Sequence, residues 1–168
     1  MVTMLMLSLL VAVLYAGIAA IKERELPESV SALVYHIPKG GWRWLWTLWL
    51  WTVAILLAPS LMEAMPGDWR FVGFLTLGCL LFVGAMPLGM NDSNATHNTL
   101  GIAAGVLSQV CVILINPLWL LVWAGWLCLF CVMLFTTNNR LKEEMYGKGV
   151  FCLEAFCAAS LYGALLTT

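Results

Sequence analysis

Charge is what this sequence has least of. Of its 168 residues only 8 are Lys or Arg and 9 are Asp or Glu, whereas about a quarter of an ordinary water-soluble domain is charged. A net charge of −1 leaves no concentrated basic surface, so nucleic acid is excluded as an expected partner. Motifs are scarce too. The chain has no Gly-rich phosphate loop ahead of a helix, no Gly-x-Ser-x-Gly elbow and no His-Glu-x-x-His pair, which removes the common signatures of nucleotide, serine-hydrolase and zinc-peptidase chemistry. It also lacks a Gly/Ser-rich linker, a low-complexity tract and an internal repeat, so residues 1–168 read as a single transmembrane domain.

What is present is apolar. Hydrophobic residues make up 62% of the chain, with nine Trp and seven Phe, and the mean hydropathy is +0.94. A helix needs about 20 mostly apolar residues to cross a hydrocarbon layer of about 30 Å. The sequence predicts such spans at Met4–Ile21, Trp44–Leu61, Phe71–Leu88, Asn98–Ile115, Leu118–Thr136 and Gly149–Leu166. The uncharged run from Leu100 to Phe135 would form a helix of about 54 Å, too long for one crossing. Asn116-Pro117 divides it, because proline removes a backbone donor and turns the preceding residue away from helix. The first span resembles a signal peptide in ending on small residues. Its basic residues, Lys22 and Arg24, follow rather than precede the apolar stretch, which favours a permanent helix. The fold class expected is therefore all-α, a polytopic six-transmembrane-helix bundle.

Seven of the eight basic residues fall in the connections between spans one and two and between spans five and six. Only Arg70 falls on the opposite side, so the positive-inside rule places those two connections in the cytoplasm and both termini outside. The implied location is a bacterial inner membrane. In the first connection Pro27, Glu28 and the stripe Val30, Leu33, Val34 and Ile37 predict a short interfacial helix, stopped by Pro38, Gly40 and Gly41. The tryptophans from Trp42 to Trp51 read as a headgroup-level anchor belt, with an aromatic ligand cage as the alternative; Trp119, Trp123 and Trp126 read the same way.

Few groups inside the spans can carry chemistry. All six cysteines lie in predicted spans, where they behave as small apolar residues; Cys128-x-x-Cys131 lacks the second pair a zinc site needs. His97, Gly101, Gly105 and Gln109 trace one face of span four, and Gly101-x-x-x-Gly105 is a pattern that lets helices approach closely. Gln109 at mid-span has to face protein. Glu154 is the one carboxylate within a span and is a functional candidate on that ground. The ligand-binding candidates are Glu154, His97 and Gln109, and the metal candidates are His36, His97 and Asp92.

Two resemblances follow. Phe82-Val83-Gly84-Ala85-Met86-Pro87 with His97 after a short polar loop resembles uncharacterised six-helix bacterial membrane proteins, which implies the fold and no defined activity. Ser, Asp and His residues at one membrane face are similar to the alkaline ceramidase and progestin-receptor-like membrane hydrolases, which implies a zinc site and hydrolysis. This chain departs from that superfamily in having only His36 and His97 and six predicted spans where it has seven. The function expected is non-enzymatic: binding or passage of a small or lipid-like ligand without a cofactor, or service as a membrane subunit of a larger assembly. The alternatives are a membrane-embedded zinc-dependent hydrolase and an oligomeric ion channel. The partners expected are membrane lipids, a second copy of the chain, or another membrane protein.

Overall fold

A computed structural model describes residues 2–23, 29–30, 43–89, 94–135 and 148–168. Six α-helices account for most of them: α1 (Val2–Glu23), α2 (Arg43–Ala64), α3 (Arg70–Gly89), α4 (Asn94–Ile115), α5 (Val122–Phe135) and α6 (Gly149–Leu166). Two 3-10 segments, Gly67–Trp69 and Pro117–Leu121, join α2 to α3 and α4 to α5. Among the described residues there is no strand. The expected interfacial helix lies outside the described residues apart from the turn at Ser29 and Val30, and His36 and Asp92 also lie outside them.

Four segments are long and apolar enough to cross a membrane: Arg43–Ala64, Gly67–Pro87, Ala95–Ile115 and Gly149–Leu166. The remaining two expected spans are shorter apolar stretches, Val2–Ile18 and Pro117–Val132. In the second case Asn116 accepts the Leu118 N–H on its side chain and starts a 3-10 turn at Pro117, which takes up the first residues of the expected span. The described part of the α-helix that follows runs over Val122–Phe135.

The chain does break at Asn116-Pro117, and it turns back on itself there. The Trp123 Nε1–H donates to Gln109 Oε1 over 2.8 Å; in one continuous helix these residues would stand about 21 Å apart. Equivalent pairs fix the direction of the other helices. Ser8 with Val53 and Val11 with Trp49 run α1 against α2. Thr47 with Gly84 and Trp51 with Leu81 run α2 against α3. Gln109 with Ser160 and Asn116 with Thr167 advance together, so α4 and α6 are parallel. Successive helices thus alternate in direction. One end of the bundle carries His97 and the start of α6; the other carries Trp69 and the close of α6.

Packing is densest towards the Trp69 end. There Leu5, Leu57, Leu61, Cys111, Val112, Leu161 and Ala164 form a cluster drawn from α1, α2, α4 and α6. A second cluster, Trp46, Leu50 and Val83, lies nearer the His97 end. Two close approaches rest on glycine. A Cβ at Gly84 would lie 2.9 Å from Trp51 Cδ1, and one at Gly163 would overlap the Trp119 ring. Of the expected Gly101/Gly105 contact, the described residues form the Gly105 half: a Cβ there would lie 3.7 Å from Cys157 Sγ, whereas nothing described lies within 4 Å of one built on Gly101. The four-residue spacing marks a face but not its neighbour, and α6 crosses α4 beside Gly105 and Gln109 rather than beside Gly101.

Candidate functional site

Gln109 sits at the meeting point of α4, α5 and α6. Its Oε1 accepts from Trp123 Nε1 at 2.8 Å and from Ser160 Oγ at 2.9 Å, while Nε2 donates to Ser108 Oγ at 3.1 Å and to the Cys157 carbonyl at 3.3 Å. An indole N–H can only donate, so the amide orientation follows from its partner. A side-chain amide offers two donors and two lone pairs, and all four are engaged within the protein. The Ser160 hydroxyl has a single proton, with the Phe156 and Cys157 carbonyls as further acceptors at 2.9 and 3.0 Å. Helical serine therefore has a local partner whenever Gln109 turns away.

Glu154 lies one turn before Cys157 and Ala158 on α6. Its Oε2 accepts the backbone N–H of Val30 at 2.6 Å, a bond between the last helix and the chain that follows the first. His97 lies on α4, which is already helical at Asn94, before the expected Asn98, and is 9% exposed. Gly105 is level with Cys157, so Glu154 is level with Ile102 on α4. His97, five residues earlier on that helix, stands roughly 8 Å nearer the end. Gln109, on α4, meets α6 at Cys157 and Ser160, about one to two turns beyond Glu154, and His97 occupies a separate level nearer the end.

The described tryptophans are not all outward-facing rings. Trp46 is 3% exposed; Trp49 Nε1 donates to the Val11 carbonyl at 3.0 Å and Trp51 Nε1 to the Leu81 carbonyl at 2.9 Å. Trp119 Nε1 donates to Thr167 Oγ1 at 2.9 Å. These indoles lock neighbouring helices, because a helical carbonyl keeps a second lone pair that an N–H from outside can use. Nor do they form an open cage. Tyr15 stacks on Trp49 at 4.1 Å, and Trp46 lies 5.1 Å from Trp49, so the rings fill the space between them. Trp44, at 49% exposed, keeps the outward position expected of a belt residue.

Among the described residues no three His, Cys, Asp or Glu side chains cluster closely enough to hold a metal ion. The six cysteines are free thiols; Cys111 is buried, and Cys128 and Cys131 are exposed on α5. Sequence reasoning missed the Ser8 and Tyr162 pair, Val30 as a partner for Glu154, and Trp123 as a partner for Gln109. Only the last had a signal, since a reversal at Pro117 puts Trp123 almost opposite Gln109. Compared with known proteins, the chain matches no family, no curated protein and no solved structure.

Proposed function

We propose that this chain is an integral membrane protein of the bacterial inner membrane, with six helices in alternation and both termini outside. In this reading it binds a small or lipid-like ligand at its cytoplasmic, His97-bearing end. Support for the membrane setting comes from large apolar side chains facing outward along the bundle, among them Phe74, Phe82, Ile102, Val106 and Phe135. Water does not tolerate that much contiguous apolar surface on a monomer, and lipid does. Arg43 and Lys148 stand at the His97 end, and Arg70 at the other, in keeping with the sevenfold basic excess on the cytoplasmic side.

The observation that carries the ligand reading is the contrast between Gln109 on α4 and Glu154 on α6. Gln109 has every hydrogen-bonding position engaged, which argues for structural glue and against a polar route through the bundle. Glu154 is half-buried near the His97 end, where, among the described residues, its carboxyl group accepts the backbone N–H of Val30 from a distant segment. That acceptor suits a ligand with an amine or another N–H or O–H donor on an apolar body. Native mass spectrometry of protein released gently from its membrane tests this. A bound lipid or small molecule on the wild type, depleted in Glu154→Gln and His97→Ala, supports binding at this end; equal occupancy in all three counts against it. A fixed stoichiometry with another membrane protein, and no small adduct, would instead favour a subunit role.

A further inference from the structure

α3 continues through Pro87 to Gly89, although proline has no N–H and leaves the carbonyl four residues back, that of Val83, without its helical donor. Val83 is buried, and a buried carbonyl with no donor is costly. The donor comes from α2. The Trp46 Nε1–H points to the Val83 carbonyl over 3.5 Å, from an indole that is itself buried. Beside it Thr47 Oγ1 donates to the Gly84 carbonyl over 2.6 Å, and Trp51 Nε1 donates to the Leu81 carbonyl over 2.9 Å. Leu81 and Gly84 have an N–H four residues on, at Ala85 and Leu88, so for them the bond from α2 is a second one. At Val83 it stands in for the helix's own bond. It is also the longest of the three and lies beyond the usual range for N–H···O.

We propose that Val83–Pro87 is a hinge in α3, clasped by the Trp46 indole, about which the last turn of that helix swings at the His97 end. Proline supplies the bend point, since sharp bends concentrate where the hydrogen-bond ladder of a helix is interrupted. Thr47 and Trp51 hold α3 to α2 as far as Gly84. Beyond Gly84 the last turn is joined to the rest of the helix by one bond fewer than a turn without proline has. Trp46 is braced from the other side: the Tyr15 ring of α1 meets it edge-on with centroids 5.7 Å apart, and Trp49 lies at 5.1 Å. The direction of its N–H is therefore set by how α1 sits on α2, and the last turn of α3 responds to that seating. Leu100 of α4 packs on the same cluster of Trp46, Leu50 and Val83, so a bend at the hinge is passed to α4 one turn from His97. The hinge is independent of whether a ligand binds at this end.

Hydrogen exchange at the Leu88 and Gly89 amides, read by mass spectrometry on the full chain in detergent or nanodiscs, follows the last turn directly. Pro87→Ala returns an N–H to position 87, so it should close the hinge and slow exchange at both amides by about tenfold. Trp46→Phe removes the clasp and should speed exchange by about tenfold while Pro87 is present, and by far less beside Pro87→Ala, where the helix satisfies Val83 by itself. Thr47→Val is the contrast. Its acceptor, Gly84, keeps a helical donor, so its effect should be the same with either residue at 87. Trp46→Phe that folds only beside Pro87→Ala would support the hinge as a rescue. Should Trp46→Phe fail to fold in both backgrounds, Pro87→Ala decides alone. Exchange unchanged by Pro87→Ala, or an effect of Trp46→Phe that is equal in the two backgrounds, would overturn the proposal.

Discussion

The hydroxyl of Tyr162 on α6 lies 2.6 Å from Ser8 Oγ on α1, a buried pair that joins the first helix to the last. Ser8 Oγ also lies 2.9 Å from the Val53 carbonyl of α2, to which it donates. A serine hydroxyl has one proton, so the Tyr162 hydroxyl must be the donor in their shared bond. The direction of that bond makes the two truncations unequal. Ser8→Ala strands a buried phenol hydroxyl, at a cost of about 1–3 kcal/mol, whereas Tyr162→Phe removes a donor and leaves Ser8 paired with Val53, at about 1 kcal/mol. Thermal midpoints in detergent should rank Ser8→Ala below Tyr162→Phe; the reverse order would mean the proton is assigned wrongly.

Replacing Gln109 by Leu removes four hydrogen bonds and leaves the Trp123 N–H without its acceptor. Interhelical bonds in lipid average below about 1 kcal/mol each, so the combined loss should be about 2 kcal/mol. A double-mutant cycle with Trp123→Phe isolates the shared bond. Its coupling should be about 0.5–1.5 kcal/mol, and additive losses would show that the pair is not formed.

Glycine substitutions should separate two faces. Gly163→Ala drives a methyl group into the Trp119 ring, which Thr167 and Asn116 hold in place through Thr167 Oγ1. Overpacking of this kind costs about 1–3 kcal/mol. Gly101→Leu meets nothing within the described residues and should leave the thermal midpoint within a degree or two. Gly84→Ala falls between them, because the Trp51 ring it displaces is itself 40% exposed and has room to move.

Orientation is open to a direct check in intact cells. An impermeant thiol reagent should label Asp68→Cys from outside and should reach Lys148→Cys only after the membrane is opened. External labelling at position 148 would invert the proposed arrangement.

The sequence made some features legible because each depends on a local rule. The break at Asn116-Pro117 follows from proline's missing donor, and the boundaries of α2, α3 and α6 fall within a few residues of where the apolar runs stop. Other features depended on facing, which spacing alone does not give. Gly101 and Gly105 had the pattern of a close contact, but which glycines are pressed depends on where an indole lands, and the indoles of Trp51 and Trp119 land on Gly84 and Gly163. The Trp46, Trp49 and Trp51 series reads as a belt because tryptophan is amphipathic in any setting; that Trp49 and Trp51 also donate to the Val11 and Leu81 carbonyls depends on where α1 and α3 lie, which spacing does not give. The link between Glu154 and Val30 spans most of the chain and has no sequence signature.

The parallel pairing of α4 and α6 has a consequence for biosynthesis. Of the partners that satisfy the Gln109 amide, only Ser108 has been synthesised by the time α4 is complete. Trp123 lies fourteen residues beyond Gln109, and Cys157 and Ser160 belong to the final helix. During translation α4 therefore carries an underpaired amide until almost the whole chain has been made. In the proposed membrane setting that group needs water or another polar partner in the interval, because an unpaired amide is costly in an apolar surrounding.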